Sequence, residues 1–246
     1  MGCKRSRATL RPSWHPDAEA ADVAICLCAA VNGAECPFDA CLGAEGFRDR
    51  MAKGHYLAYY TGNSAPTGVL DDVFDLTKRN MASLYDAADF LGGWKDRMKY
   101  RELSASKTHI IALSDDNGGL AGFVSYRFLI IADCQAPTEV CYIYELQVDA
   151  GCRSRGVGRF LMSVAESIGR RVGARKLMCT VLKLNPRAVS FYRSKCGFVD
   201  DESDPSSVDF ERRAEHAYHI LKLELGASPR TSPTDGTVRS YGECAT

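Results

Sequence analysis

The sequence is short of tryptophan and carries no excess of either charge. Trp14 and Trp94 are its only indoles, and 31 Lys+Arg balance 31 Asp+Glu. A neutral balance speaks against a duplex-coating nucleic-acid binder, which shows a basic excess. It leaves room for a local acidic cleft facing a basic partner. No apolar run approaches the roughly 20 residues of a membrane helix. The stretch from Val23 to Val31 is short and rich in Ala and Cys, and reads as one helix face. The eleven cysteines include no Cys-x-x-Cys pair. Cys26 and Cys28 are too close together, and Cys36 and Cys41 are separated by four residues, so the usual zinc-ligand spacing is missing. Cys141, Cys179 and Cys196 sit in apolar surroundings and read as small buried hydrophobes. An odd cysteine count with no secretory pattern ahead of it makes a reduced, cytoplasmic and nuclear setting the expectation.

What is present supports a folded enzyme-sized domain. The chain has 246 residues, 46% of them apolar, enough to bury a sizeable core. Residues 1–17 read as a disordered basic tail, 18–69 as a helical and strand extension, 70–226 as the main domain, and 227–246 as a disordered tail rich in Ser, Thr, Pro and Gly. Met1-Gly2-Cys3-Lys4-Arg5-Ser6 fits the Gly2 myristoylation pattern, which would allow reversible membrane contact. The other reading is an ordinary basic tail.

Within the main domain, periodicity predicts a strand over 55–60, a loop over 62–68, and a helix over 71–89 that Gly92-Gly93 stops. A short helix over 94–102 comes next. Strands are expected over 108–113, 120–131 and 140–148, the first two joined by a turn at 115–119. Val157, Phe160, Leu161, Val164, Ile168 and Val172 recur at helix spacing over 156–172. A strand over 176–181 follows. Asn185 caps a helix with Pro186 at its first position, ending at Gly197. A last strand spans 218–225. The order predicts a single α/β (α+β) domain.

The informative segment runs from Tyr142 to Leu161. A strand ends, a basic Gly-rich turn follows, and a helix begins. Arg153-x-x-Gly156-x-Gly158 puts backbone N–H groups of Arg155, Gly156, Val157 and Gly158 at a helix start, where orphan donors and the positive helix end favour a pyrophosphate. A dinucleotide fingerprint would want a small residue where Leu161 stands, and an acid where Arg175 and Lys176 stand. A P-loop Gly-Lys-Ser/Thr is absent. A helix cap without any ligand is the plain alternative.

Arg153, Gly156 and Gly158 in this strand–turn–helix setting, with Asn185 and Phe191-Tyr192-Arg193-Ser194-Lys195-Cys196-Gly197-Phe198 downstream, resemble the GCN5-related N-acetyltransferase family. The resemblance implies a central mixed, mostly antiparallel sheet flanked by helices, and acetyl-CoA as co-substrate, with no metal. It implies cofactor contacts from Leu146, Val148, Arg153, Ser154, Arg155, Gly156, Val157, Gly158 and Asn185, and a Tyr192 that protonates the departing thiolate. Phe74-Asp75-Leu76-Thr77-Lys78-Arg79-Asn80-Met81, Tyr85, Gly93-Trp94-Lys95-Asp96-Arg97 and Tyr144-Glu145-Leu146-Gln147 are similar to the NatD type. That type acetylates the N-terminal amine of histone 4 and histone 2A, beginning Ser-Gly-Arg-Gly. The likeness makes histone tails the expected partner of a monomeric enzyme. Departures are Leu129 and Ile131, where the NatD type has acids, with Asp133 further on, and Phe90 in place of a Trp.

Strand alternation places Glu145 on the face of Cys141, Ile143 and Gln147. Glu145 is the expected general base, acting through a water, and a strand-edge salt bridge is the plain alternative for it. Tyr85, Trp94, Tyr144 and Tyr218 are expected to wall the substrate site. His216 and His219 are expected to be structural. The alternatives are acetylation of a lysine side chain or small-molecule amine, or an inactive acyl-CoA-binding module.

Overall fold

A computed structural model describes residues 55–115, 117–132, 137–209, 211 and 215–226. The readings on Gly2, Cys3, Asp133, the part of the expected extension over 18–54 with its cysteines, and the two tails lie outside the described residues. Strand β1 (Tyr56–Thr61) leads into helix α1 (Thr67–Ala87) and helix α2 (Asp96–Leu103). Strands β2 (His109–Ser114), β3 (Leu120–Ala132) and β4 (Pro137–Val148) follow. After a 3₁₀ turn at Ala150–Cys152 come α3 (Val157–Arg171), β5 (Lys176–Leu182) and α4 (Pro186–Ser190), which widens into a π-helical turn at Phe191–Lys195. The chain then forms β6 (Val199–Asp200), α5 (Pro205–Val208) and β7 (Tyr218–Glu224).

The strands make one seven-stranded sheet in the order β1-β2-β3-β4-β5-β7-β6. Every neighbouring pair is antiparallel except β4 and β5. The α/β architecture expected from the pattern, and the mixed, mostly antiparallel sheet implied by the resemblance, are present. Each sheet face has its own core. Helix α3 sets Leu161, Val164, Ala165 and Ile168, at one-turn spacing, against Ile111, Val124, Tyr126 and Leu177. Helices α1 and α2 cover the other face, with Val73, Leu76 and Leu103 against Ile110, Ala112 and Phe123. Apolar burial on both faces fixes the strand registers, because a one-residue slip would turn each set outward.

Some boundaries moved for identifiable reasons. Helix α1 begins at Thr67, inside the expected loop, because the Pro66 carbonyl accepts from Leu70 N–H and opens the helix. Beyond α1 the chain turns sharply, with positive φ at Asp89, Leu91, Gly92 and Gly93. The two-residue β6 and the four-residue α5 are too short to leave a periodic pattern.

One expectation is overturned in β4. Ser125 pairs with Glu145 but the next residue, Tyr126, pairs with Ile143, so Tyr144 is an extra residue in a β-bulge. A bulge breaks the alternation of faces. Cys141 and Ile143 therefore point into the α3-side core, whereas Glu145 points toward α2, where Lys99 meets it. Glu145 and Ile143 do not share a face.

Candidate active site

Strands β4 and β5 pair only from Val140 to Ile143 and from Lys176 to Cys179. Beyond that point they part, and β4 continues to Val148 while β5 continues to Leu182. The separation opens a cleft of about 960 Å³ between the strand ends, bounded by α1, α2, α3 and the α4 π-turn. It is of the size that holds a drug-sized or cofactor-sized ligand.

The floor of the cleft at the α3 end is the Gly-rich turn. Ser154 (φ 62) and Gly156 (φ 89) take left-handed conformations, which glycine accepts and which strains Ser154. Gly156 is the N-cap of α3 and, having no side chain, caps nothing. The first N–H groups of the helix thus face the cleft without a capping side chain, an arrangement that suits an anion. At Gly158 a Cβ would lie 3.4 Å from Phe191 Cζ and 3.6 Å from Val148 Cγ2. Alanine would fit there, and a larger side chain would enter the wedge. Asn185 accepts from Ala188 N–H and caps α4. Leu146, Val148, Arg153, Ser154, Val157 and Asn185 all line the cleft with the two glycines.

Arg153 also ties the turn to its surroundings. Its guanidinium donates to the Val148 carbonyl at 3.2 Å and to Asn80 Oδ1 at 2.6 Å. Asn80 Nδ2 donates to Gln147 Oε1 at 2.9 Å, and Gln147 Nε2 donates to Glu145 Oε2 at 2.8 Å. A continuous hydrogen-bonded chain thus connects the Gly-rich turn to the buried acid. Asn80 had entered the sequence reading only as part of the NatD-like segment 74–81.

The other wall is acidic and aromatic. Glu145 is 4% exposed. Its Oε1 accepts from Lys99 Nζ at 2.6 Å. Lys99 also donates to Glu102 Oε1 at 2.7 Å and to the Tyr85 hydroxyl at 3.3 Å. Burial opposes the charge on Lys99, but Glu145 and Glu102 outweigh it and hold its pKa above the usual lysine value. Burial raises the Glu102 carboxyl, partly countered by Lys99. Burial, reinforced by Glu145, also raises Tyr85. The Tyr144 ring lies against Tyr142, with the Arg127 guanidinium 4.3 Å from its centroid.

Tyr192 lines the same cleft, from the π-turn. Its ring is wedged between Phe191 and Phe198. Burial, then Cys179, Cys196 and Glu145, push its hydroxyl far above the usual range, so it stays protonated.

Of the residues singled out from sequence, Glu145, Tyr192, Tyr85 and Tyr144 come together in the cleft. Arg155, Trp94 and Tyr218 are not among its lining residues. Arg155 is exposed, because its N–H belongs to the turn while its side chain points outward. Trp94 donates to Asp96 Oδ1 at 2.6 Å and packs edge-on against Tyr85, walling a smaller neighbouring pocket instead. Tyr218 packs against Phe90, a cleft residue, and supports it from behind. Lys99 and Glu102 are cleft residues that sequence reasoning missed, and Asn80 and Leu129, noted only in the NatD comparison, line the cleft as well. The only available signal for Lys99 was a lysine spaced three residues before Glu102 on a short helix, which is common on solvated faces. Elsewhere, His219 lies near Asp200 and Asp204. The Asp204 oxygens already accept from the Ser206 and Ile220 N–H groups, so this cluster serves the fold.

Comparison with known proteins agrees with this geometry. The acetyltransferase (GNAT) family model matches residues 72–198, just over half the chain, and the protein belongs to that family. It is 26% identical over 131 residues to YwnH of Bacillus subtilis (strain 168), named as a candidate phosphinothricin acetyltransferase; the match covers 53% of this chain and 77% of YwnH. Among solved structures, Tetrahymena GCN5 superposes with a TM-score of 0.50 at 12% identity, over 70% of this chain and 96% of that one. A GNAT-family structure from Desulfovibrio desulfuricans gives 0.49 at 16% identity, over 70% and 100%. The protein is an acetyltransferase, and its family uses acetyl-CoA. The uncapped helix start, the positive-φ turn and the wedge between β4 and β5 fit that co-substrate.

Proposed function

We propose that this acetyltransferase modifies the free α-amino group at the N-terminus of a basic, histone-like peptide beginning Ser-Gly-Arg-Gly. One observation carries the reading. The residues of the NatD-like segments, Asn80, Tyr85, Tyr144, Glu145 and Gln147, are far apart in sequence yet form one continuous wall of the cleft. When bound, acetyl-CoA supplies the acetyl group as a thioester. The N–H groups of Val157 and Gly158 would hold its pyrophosphate, and Leu146 and Val148 at the free edge of β4 would line the path of the rest.

Glu145 and Glu102 against Lys99 leave one net negative charge at the amine side, which attracts an α-ammonium. An α-amino group has a pKa of about 7.7–8.0, so roughly a tenth is already neutral at pH 7. Only one proton has to leave. Glu145, with both oxygens fixed by Lys99 and Gln147, accepts it through a water. The Tyr192 hydroxyl, kept protonated by burial, donates a proton to the thiolate as it departs.

A specific observation favours a second reading, a small-molecule amine. Leu129, half-buried, puts an apolar side chain on the cleft where a peptide arginine would want an acid, and YwnH is named for a small-molecule substrate. The deciding experiment incubates the purified protein with acetyl-CoA and a panel: Ser-Gly-Arg-Gly peptides, unrelated N-termini, N-blocked lysine peptides and phosphinothricin. Products are read by mass. Preferential acetylation of the free Ser-Gly-Arg-Gly terminus is expected. Preference for phosphinothricin or internal lysine removes the N-terminal reading and leaves the acetyltransferase.

A further inference from the structure

We infer that Lys99 is a positioning residue for the acetyl-transfer site, holding Glu145 and Glu102 ionised side by side and aiming the Glu145 carboxylate into the cleft. The inference rests on the proposed role of Glu145 with an amine substrate, and assigns to Lys99 the control of that acid's charge and direction.

Three observations carry it. Lys99 is 7% exposed, yet it lies on the short α2, whose other buried residue is the apolar Leu103. Its ammonium makes three directed contacts, to Glu145 Oε1 at 2.6 Å, Glu102 Oε1 at 2.7 Å and the Tyr85 hydroxyl at 3.3 Å. These partners come from β4, α2 and α1, and all line the cleft. A buried ammonium needs such pairing, and one placed only for stability gains little over a well-packed apolar side chain.

The physical consequence concerns charge. Without the cation, Glu145 and Glu102 would face each other as like charges in a partly dry pocket, and one of the two would take a proton at higher pH. Arg127, the remaining cation near Glu102, is occupied by the Glu102 carbonyl, Thr108 Oγ1 and the Tyr144 ring. It cannot replace Lys99 at Glu145, whose other oxygen is held by neutral Gln147. Tyr85 and Tyr144 carry no charge near neutrality, since burial raises both hydroxyls. Lys99 is thus the cation that sets the charge of this pair.

The test compares wild type, Lys99→Met, Lys99→Arg and the double variant Lys99→Met/Glu102→Gln. Carboxyl titrations are followed by NMR of ¹³C-labelled glutamate, and kcat/KM against pH is measured on whichever amine the panel identifies. Lys99→Met is expected to move a glutamate titration and the acid limb of the profile upward by about one pH unit, a tenfold change in proton affinity. Lys99→Arg is expected to restore the charge but place it less well, lowering kcat more than it moves the acid limb. Removing Glu102 as well should return the acid limb toward wild type, a rescue that a merely structural lysine would not give. Unchanged titrations and acid limb in Lys99→Met, or no return in the double variant, overturn the inference.

Two further readouts cover the remaining cases. If Lys99→Met does not fold, the wild-type lysine Nζ signal decides: Lys99 must stay protonated through pH 10, and deprotonation below that overturns the proposal. If the substrate is not a peptide, the N-terminal reading falls while the titrations still judge Lys99.

Discussion

Glu145 is gripped at both oxygens, which makes its contribution separable from that of its neighbours. Replacing it with Gln keeps the shape and the Gln147 side of the network but removes the proton acceptor. Steady-state kinetics at pH 7 should show kcat lowered about 10²-fold or more, the usual scale of a general base, with a smaller change in KM. Full kcat in Glu145→Gln would move the base elsewhere. His109 gives a stability prediction at the same scale. It is 1% exposed, stacked on Tyr126 and bonded to the Tyr59 hydroxyl at 2.6 Å, and burial lowers its pKa to about 4. The unfolded chain, with an ordinary histidine pKa near 6.5, binds the proton first as pH falls. Stability from this residue is therefore complete above pH 6.5 and is lost progressively down to about pH 4, by up to about 3 kcal/mol. Chemical denaturation at pH 7.5 and pH 5 should show a smaller loss in a folded His109→Phe variant than in wild type.

At the scale of elements, the site depends on two irregularities. The bulge at Tyr144 turns Glu145 away from the α3-side core and toward Lys99. The early parting of β4 and β5 leaves the wedge into which the first turn of α3 opens. Gly158 sits at that opening, 3.4 Å from Phe191 as measured from an added Cβ. A Gly158→Trp variant should fill the wedge while the α3 core face, Leu161 to Ile168, stays intact. Calorimetry should find acetyl-CoA binding weakened more than tenfold, above about 1.4 kcal/mol. Unchanged affinity in a folded variant would show that the co-substrate does not run past this turn. The starts of α3 and α4, the main strand runs and the Gly-rich turn were legible because each leaves a local mark: a period, a cap or a paired glycine. The bulge was not, because Tyr-Ile-Tyr-Glu-Leu-Gln-Val reads equally well as a regular strand.

At the scale of the molecule, a balanced net charge conceals an uneven distribution. The Glu145–Lys99–Glu102 group sets two acids against one cation at one end of the cleft, and the α3 start lies at the other without a side-chain cap. A basic peptide should be drawn by that charge and lose part of the attraction to salt. Raising the salt from 50 to 500 mM should raise KM for a Ser-Gly-Arg-Gly peptide a few-fold, with kcat nearly unchanged. Initial-rate kinetics at fixed saturating acetyl-CoA measure it, and a salt-independent KM would argue for a neutral substrate.

The sequence by itself determined the helix and strand order, the Arg153–Gly158 turn, and the presence of Glu145 and Tyr192 in an acetyltransferase framework. The element order and the turn follow from hydrophobic period and from residues whose backbone demands are local; the acetyltransferase reading of Glu145 and Tyr192 came from the family resemblance. Only the tertiary structure decided which side chains share the cleft. It brought Asn80, 67 positions from Gln147, and Lys99, 46 positions from Glu145, into hydrogen-bond contact, and it left Arg155, Trp94 and Tyr218 outside. The reason is physical. A period says which face of an element is apolar, but the partner a polar side chain finds depends on how sheet and helices pack, and on a one-residue bulge that reverses the face of everything after it.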